Sequence, residues 1–187
     1  MSQPDATEPE PAIVVTEPTA NAGHNPGQTI LYWVRAICGP DNFSDWVTIE
    51  YTSPLQAPDN DDCEGALPLE CGVTVTGNTE GATASGLDAS CGGFASADAL
   101  DLFYTFEADG TSSYTVSLTS VTSFDGVLFV YSGPCDDLTS VACSDSGSPE
   151  EVTLDAPAAG IYTVRIFDYF GTGDFALDLT CEAPPAC

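Results

Sequence analysis

From about residue 26 the chain alternates between short apolar runs and turn residues, with the two-residue period of half-buried strands. "TILYWVRAIC" places Ile30, Tyr32, Val34 and Ala36 on one face. "GPDNFS" reads as a turn and "DWVTIEYTS" as the returning strand, so this stretch predicts a hairpin. "PLQAPDNDD" has the composition of a linker. Beyond it, "GVTVTG" offers Val73 and Val75, "LDLFYTFEA" aligns Leu102, Tyr104 and Phe106, and "SSYTVSLTS" aligns Tyr114, Val116 and Leu118. "GVLFVYSG" is apolar on both faces, as a central strand should be. "EEVTLDA", "GIYTVRIFDYF" and "GDFALDLTC" complete the set, and "GNTEGATASGLDASCGGFASADA" is a long Gly/Ser/Ala loop. No amphipathic helix of useful length interrupts the pattern. The predicted class is all-β: an antiparallel β-sandwich or jelly roll, with a partial sheet at the N-terminus.

A hairpin alone in water is marginal, so residues 1–54 are expected to be a fragment of a sheet. Within their Pro/Glu/Thr-rich start, "AIVVTEP" is a candidate edge strand. Residues 55–62 are the expected linker, 63–181 the sandwich, and 182–187, "CEAPPAC" with Cys181, a tail too short to fold alone.

Charge narrows the function. The 187 residues hold 29 acidic side chains against two basic ones, Arg35 and Arg165, and no lysine. A net charge of −27 argues against nucleic acid and anionic membranes as partners. It fits a solvated acidic surface, calcium, or a salty exterior. Without lysine, lysine–asparagine isopeptide bonds are impossible. No stretch is long enough to cross a membrane, and "MSQPDATEPEPAIVV" lacks the basic region and apolar run of an export signal. An extracellular protein starting this way is expected to be a mature product or part of a longer chain.

Eight cysteines in an all-β chain point to an oxidising compartment. There is no CxxC pair and His24 is the single histidine, so disulfides are expected rather than zinc. Spacing suggests local bridges Cys63–Cys71 and Cys135–Cys143. Cys91 lies in the long loop and Cys181 shares parity with the core residues Phe175, Leu177 and Leu179, so a Cys91–Cys181 bridge would pin that loop to the sheet. Cys38 and Cys187 remain as candidates for an inter-subunit link, an intrachain bridge, or free thiols.

Two stretches resemble known families. "PGQTILYWVRAICGPDNFSDWVTIEYTSP" resembles the last two strands of a bacterial fibronectin type III domain, through Val34, Arg35, Ala36, Cys38, Ser44 and Trp46. The tyrosine that usually braces that corner is replaced by Ile30. Residues 59–181 resemble the secreted pre-peptidase C-terminal modules. The phrases are "NDDCEGALPLECGVTVTGNTEGAT", "LDLFYTFEADG", "SFDGVLFVYSGPCDDLTSVACSD" and "AAGIYTVRIFDYFGTGDFALDLTC". That resemblance implies a jelly-roll-like sandwich attached to secreted enzymes, adhesins and surface proteins, some of which bind calcium, collagen or polysaccharide. By it, calcium ligands would fall on Asn60, Asp61, Asp62, Asp98 and Asp101, with Asp145 a weaker addition. "CEAPPAC" resembles the run-in to another fibronectin domain.

Catalysis is not expected. GxSxG, HExxH and P-loop motifs are absent, His24 has no evident partner, and carboxylates are too abundant for any pair to carry meaning. Aromatics at Tyr169, Phe170 and Phe94, with Phe103 on an outer strand parity, are the candidates for a polysaccharide contact. The sequence therefore predicts a non-enzymatic extracellular structural or adhesive repeat. It would be the building unit of a cell-surface fibre or long adhesin, joined to copies of itself or to adjacent repeats. The alternative is an accessory carbohydrate- or matrix-binding module.

Overall fold

The computed structural model describes residues 25–122, 124–169 and 171–184. "AIVVTEP", His24, Phe170 and Cys187 lie outside the described residues, as do the side chains of Cys38 and Phe94. The chain divides into two units, Met1–Gln56 and Ala57–Cys187.

In the first unit β1 (Thr29–Val34) pairs antiparallel with β4 (Val47–Thr52), and β2 (Ile37–Gly39) with β3 (Asn42–Phe43) forms the tip. The predicted hairpin is present. Its first strand ends at Val34, because the segment after Arg35 turns into the separate tip ladder.

The second unit contains β5 (Leu67–Pro68), β6 (Thr74–Asn78), β7 (Ser90–Cys91), β8 (Phe94–Ala95), β9 (Asp101–Ala108), β10 (Ser113–Thr122), β11 (Gly126–Ser132), β12 (Thr139–Ser144), β13 (Glu150–Leu154), β14 (Gly160–Asp168) and β15 (Asp174–Glu182). One sheet runs β13-β10-β15-β6 and the other β12-β11-β14-β9-β5, antiparallel throughout except the short β5–β9 pair. This is an all-β sandwich fold, as the sequence predicted. Residues 57–62, expected as part of a linker, belong to this unit. Asn60 Nδ2 donates to Phe103 O at 3.0 Å, and Asp61 accepts from Thr83 N and Thr83 Oγ1 at 2.6 Å each.

Alternation builds the core. Tyr114, Val116 and Leu118 of β10 lie beside Phe175, Leu177 and Leu179 of β15, all buried. They pack with Leu102, Tyr104, Leu128, Val130, Val164 and Ile166 from the other sheet. Each such side chain stabilises the fold by about 1.5–3 kcal/mol relative to exposure.

The outward face of the five-stranded sheet is buried as well. Val127, Phe129, Tyr131 and Phe167 form a second cluster with Cys91. Its cover is the long Gly/Ser/Ala loop ahead of β9, which brings Cys91, Ala89 and Ala99 against those side chains. For this reason Phe103, expected on an outer face open to ligand, has no exposure at all.

Candidate functional site

The hairpin register gives its two faces different chemistry. The register Ile30↔Tyr51, Tyr32↔Ile49 and Val34↔Val47 makes one face from six apolar or aromatic side chains and no charge. The opposite face carries Thr29, Thr52, Leu31, Glu50, Trp33 and Thr48. Val47 is 57% exposed and Ile49 49%. The opposite face is mixed, with Leu31 and Trp33 beside Thr29, Thr48, Thr52 and Glu50, and so the uncharged face is the better suited to packing. Near the tip, the Arg35 guanidinium lies 4.1 Å from the Phe43 ring centre and 4.4 Å from that of Trp46. This cation–π sandwich fixes the tip against the strands.

The other cation, Arg165 on β14, is fully buried on the outward face of the five-stranded sheet. Its neighbours in register are Phe129 on one side and Phe103 on the other. Asp101, one step away opposite Phe167, pairs with Arg165 through Nε. Arg165 also donates from Nη1 to Leu87 O (3.1 Å) and Ser96 Oγ (2.8 Å), and from Nη2 to Ser96 O (2.9 Å). Asp101 accepts from Ser85 N (3.1 Å) and Ser85 Oγ (2.6 Å). The buried pair therefore ties the covering loop to the sheet at Ser85, Leu87 and Ser96. The sequence did carry a signal for this: an arginine inside an otherwise apolar strand, in a chain with only one other cation.

The residues expected from the family resemblance to bind calcium have these surroundings. Asp101 is committed to Arg165 and Ser85, Asp61 to Thr83, and the Asn60 amide to Phe103 O, while Asp62 and Asp98 are exposed. Among the described residues no group of three or more His, Cys, Asp or Glu side chains is gathered at one point.

Asp145 shows a different effect. Burial pushes its carboxyl above the usual range, and the nearby charges of Glu150 and Asp125 push in the same direction. Glu150 is itself buried and accepts from Ser144 Oγ (2.5 Å), Ser146 N (2.8 Å) and Gly147 N, holding the turn before β13. A shallow cleft of about 390 Å³ is lined by Thr76, Gly77, Asn78, Val121, Asp174 and Phe175. Hydrogen bonds from Asn78 and Thr122 hold Asp174 below the ordinary carboxylate range. Tyr169, an expected ligand contact, is 38% exposed and its N–H donates to Asp125 O at 2.8 Å.

Among the described residues six cysteines are bridged, in pairings other than those expected from spacing. Cys63 joins Cys135, Cys71 joins Cys181, and Cys91 joins Cys143. Sheet register explains two of these corrections. Cys143 pairs in register with Phe129 and shares its outward face, so it meets Cys91 in the covering loop. Gly72 N donates to Leu179 O at 2.7 Å, which brings Cys71 to the end of β15 and to Cys181. The loops closed span 72, 110 and 52 residues. In the chain-entropy account each bridge contributes about 4–5 kcal/mol, where a short local bridge would contribute about 2.5 kcal/mol.

Residues 102–168 match the family model of the bacterial pre-peptidase C-terminal domain. The matched stretch takes in Arg165 and both Cys135 and Cys143, while β6 and β15 lie outside it. Among solved structures, similar chains include the pre-peptidase C-terminal domain of a collagenase from Bacillus anthracis. It shares 14% identity, with 62% of this chain and 94% of that one covered and a TM-score of 0.43. Another is PliG of Aeromonas hydrophila, a periplasmic inhibitor of g-type lysozyme. It shares 12% identity, with 63% and 96% covered and a TM-score of 0.44. No curated protein matches the chain. Among the described residues no helix is long and apolar enough to cross a membrane.

Proposed function

We propose that this chain is a non-catalytic extracellular structural module, the building unit of a cell-surface fibre or long adhesin. Its N-terminal hairpin is completed by a sheet from a copy of itself or from an adjacent repeat. The observation that carries this reading is the uncharged face formed by Ile30, Tyr32, Val34, Val47, Ile49 and Tyr51, the last four exposed and the first two half-buried, on a sheet that has two strands among the described residues. Two strands do not hold themselves in water, and a contiguous exposed apolar patch marks an interaction surface. The pre-peptidase C-terminal match adds that the second unit is of a type found as a non-catalytic β-sandwich module of secreted proteins. The resemblance of residues 26–54 to the closing strands of a fibronectin type III domain agrees with a sheet that pairs or packs with further strands. The three bridges suit an oxidising exterior.

Sedimentation velocity over a concentration series tests this, comparing the native chain with a Val47→Glu/Ile49→Glu variant. The native chain associates, and more strongly at high salt, because a net charge of −27 repels like copies until it is screened. The variant stays monomeric while its sandwich melts at the native temperature. A native chain that remains monomeric at every concentration and in both salts overturns the reading.

A further inference from the structure

We propose that the Cys71–Cys181 bridge is a covalent bypass that carries tension past the sandwich, so that the module keeps its fold when pulled along the chain. This rests on the structural reading above. In the second unit β6 and β15 are antiparallel neighbours, with Thr74 opposite Asp178. The chain runs into β6 and out of β15 at the same end of that pair. Tension between the two would load their hydrogen bonds one after another from that end, like a zipper, which is a weak way to hold a sheet together. The bridge sits at this mouth. Cys71 and Cys181 have Cα atoms 5.6 Å apart, and the Gly72–Leu179 hydrogen bond lies just inside it.

With the bridge closed, tension arriving through residues 57–70 crosses from Cys71 to Cys181 and leaves. The 110 residues spanned by the bridge never feel it. These include both sheets' long strands, the Arg165–Asp101 pair and the Cys91–Cys143 bridge. Cys63–Cys135 forms a second, inner limit. If Cys71–Cys181 is removed, the covalent route runs from Cys63 to Cys135 and then along the chain to Cys181. It still locks the 72 residues spanned by that bridge. At roughly 3.3–3.6 Å per extended residue, opening Cys71–Cys181 alone frees about 38 residues, or about 130 Å. Opening all the bridges frees about 110 residues, or about 360–400 Å.

Single-molecule force extension of the full chain, held at its two ends in a Cys38→Ser/Cys187→Ser background, reads these lengths directly. The oxidised chain is expected to show no step from the sandwich beyond the lead of residues 57–71. Adding reductant to the same tethered molecules is expected to release about 360–400 Å more. A further Cys71→Ser/Cys181→Ser exchange, kept oxidised, is expected to give a step of about 130 Å. An oxidised chain that yields the long step, or a reduced chain no longer than the oxidised one, overturns the bypass. The reductant arm needs no variant to fold. A chain that stays monomeric in the sedimentation experiment would end the assembly reading and leave these lengths unchanged. A long step in the oxidised chain would end the bypass and leave sedimentation untouched.

Discussion

Replacing Asp101 by Asn removes one charge from a pair in which neither partner has any exposure. The side chain keeps its shape, but the Arg165 guanidinium is left buried without a counter-charge. Removing one member of a buried ion pair typically costs about 3–5 kcal/mol. Solvent screening gives no discount here, and two donors from Ser85 lose a charged acceptor at the same time. Trypsin supplies the assay, because it cuts after lysine and arginine and the chain offers only Arg35 and Arg165. Arg165 lies on the central strand of the five-stranded sheet, between β11 and β9, so cutting there requires that sheet to open. Where cleavage is slow relative to reclosing, its rate follows the open population. At a tenfold change per 1.4 kcal/mol, the Asp101→Asn chain should be cut at Arg165 faster by roughly two to three and a half powers of ten. Urea unfolding should show the same loss. Glu151→Gln, an exposed acid on β13, serves as the charge control and should stay within about 0.5 kcal/mol of the native chain. If Asp101→Asn costs less than about 1 kcal/mol and Arg165 remains uncut, the pair is not what holds the loop to the sheet.

Asp145→Asn should raise the melting midpoint at neutral pH. The folded state holds this carboxyl above its ordinary pKa, so folding is penalised as pH rises through that value. Below the ordinary carboxylate pKa both side chains are neutral and the two melting curves should coincide. Gly77→Ala should cost about 1–3 kcal/mol in urea unfolding, since a Cβ there would lie 2.5 Å from the buried Phe175 ring. Chelator at constant ionic strength should leave the melting midpoint unchanged, because Asp61 and Asp101 are already occupied by Thr83, Ser85 and Arg165. A midpoint that falls would show that a cation had been supporting the native fold.

Much of the sandwich was legible because its strands are half-buried. In β10 and β15 every second residue enters one core, and the alternation of Tyr114, Val116 and Leu118 can be read directly. The outward face of β11, β14 and β9 was harder. Phe103 and Phe129 follow the same period, but whether they meet solvent or a covering loop depends on a loop with no periodicity of its own. What holds that loop, Arg165, has only Asp168 near it in the sequence, on the opposite face of the strand, while its partner Asp101 lies 64 residues away. The disulfides failed for the same reason. Spacing of eight residues favours Cys63 with Cys71, whereas register carries Cys71 to Cys181 across a separation of 110. The apolar face of the hairpin was visible in the pattern of both its strands. What occupies that face is a matter of partners, which local periodicity does not encode.

Side-chain footprinting of the hairpin, in dilute and in concentrated solutions of the native chain, bears most directly on the proposed joining of modules. Tyr32, Val47, Ile49 and Tyr51 should become protected as concentration rises, while Leu31 and Trp33 on the opposite face keep their labelling. Equal labelling of both faces at all concentrations would contradict it.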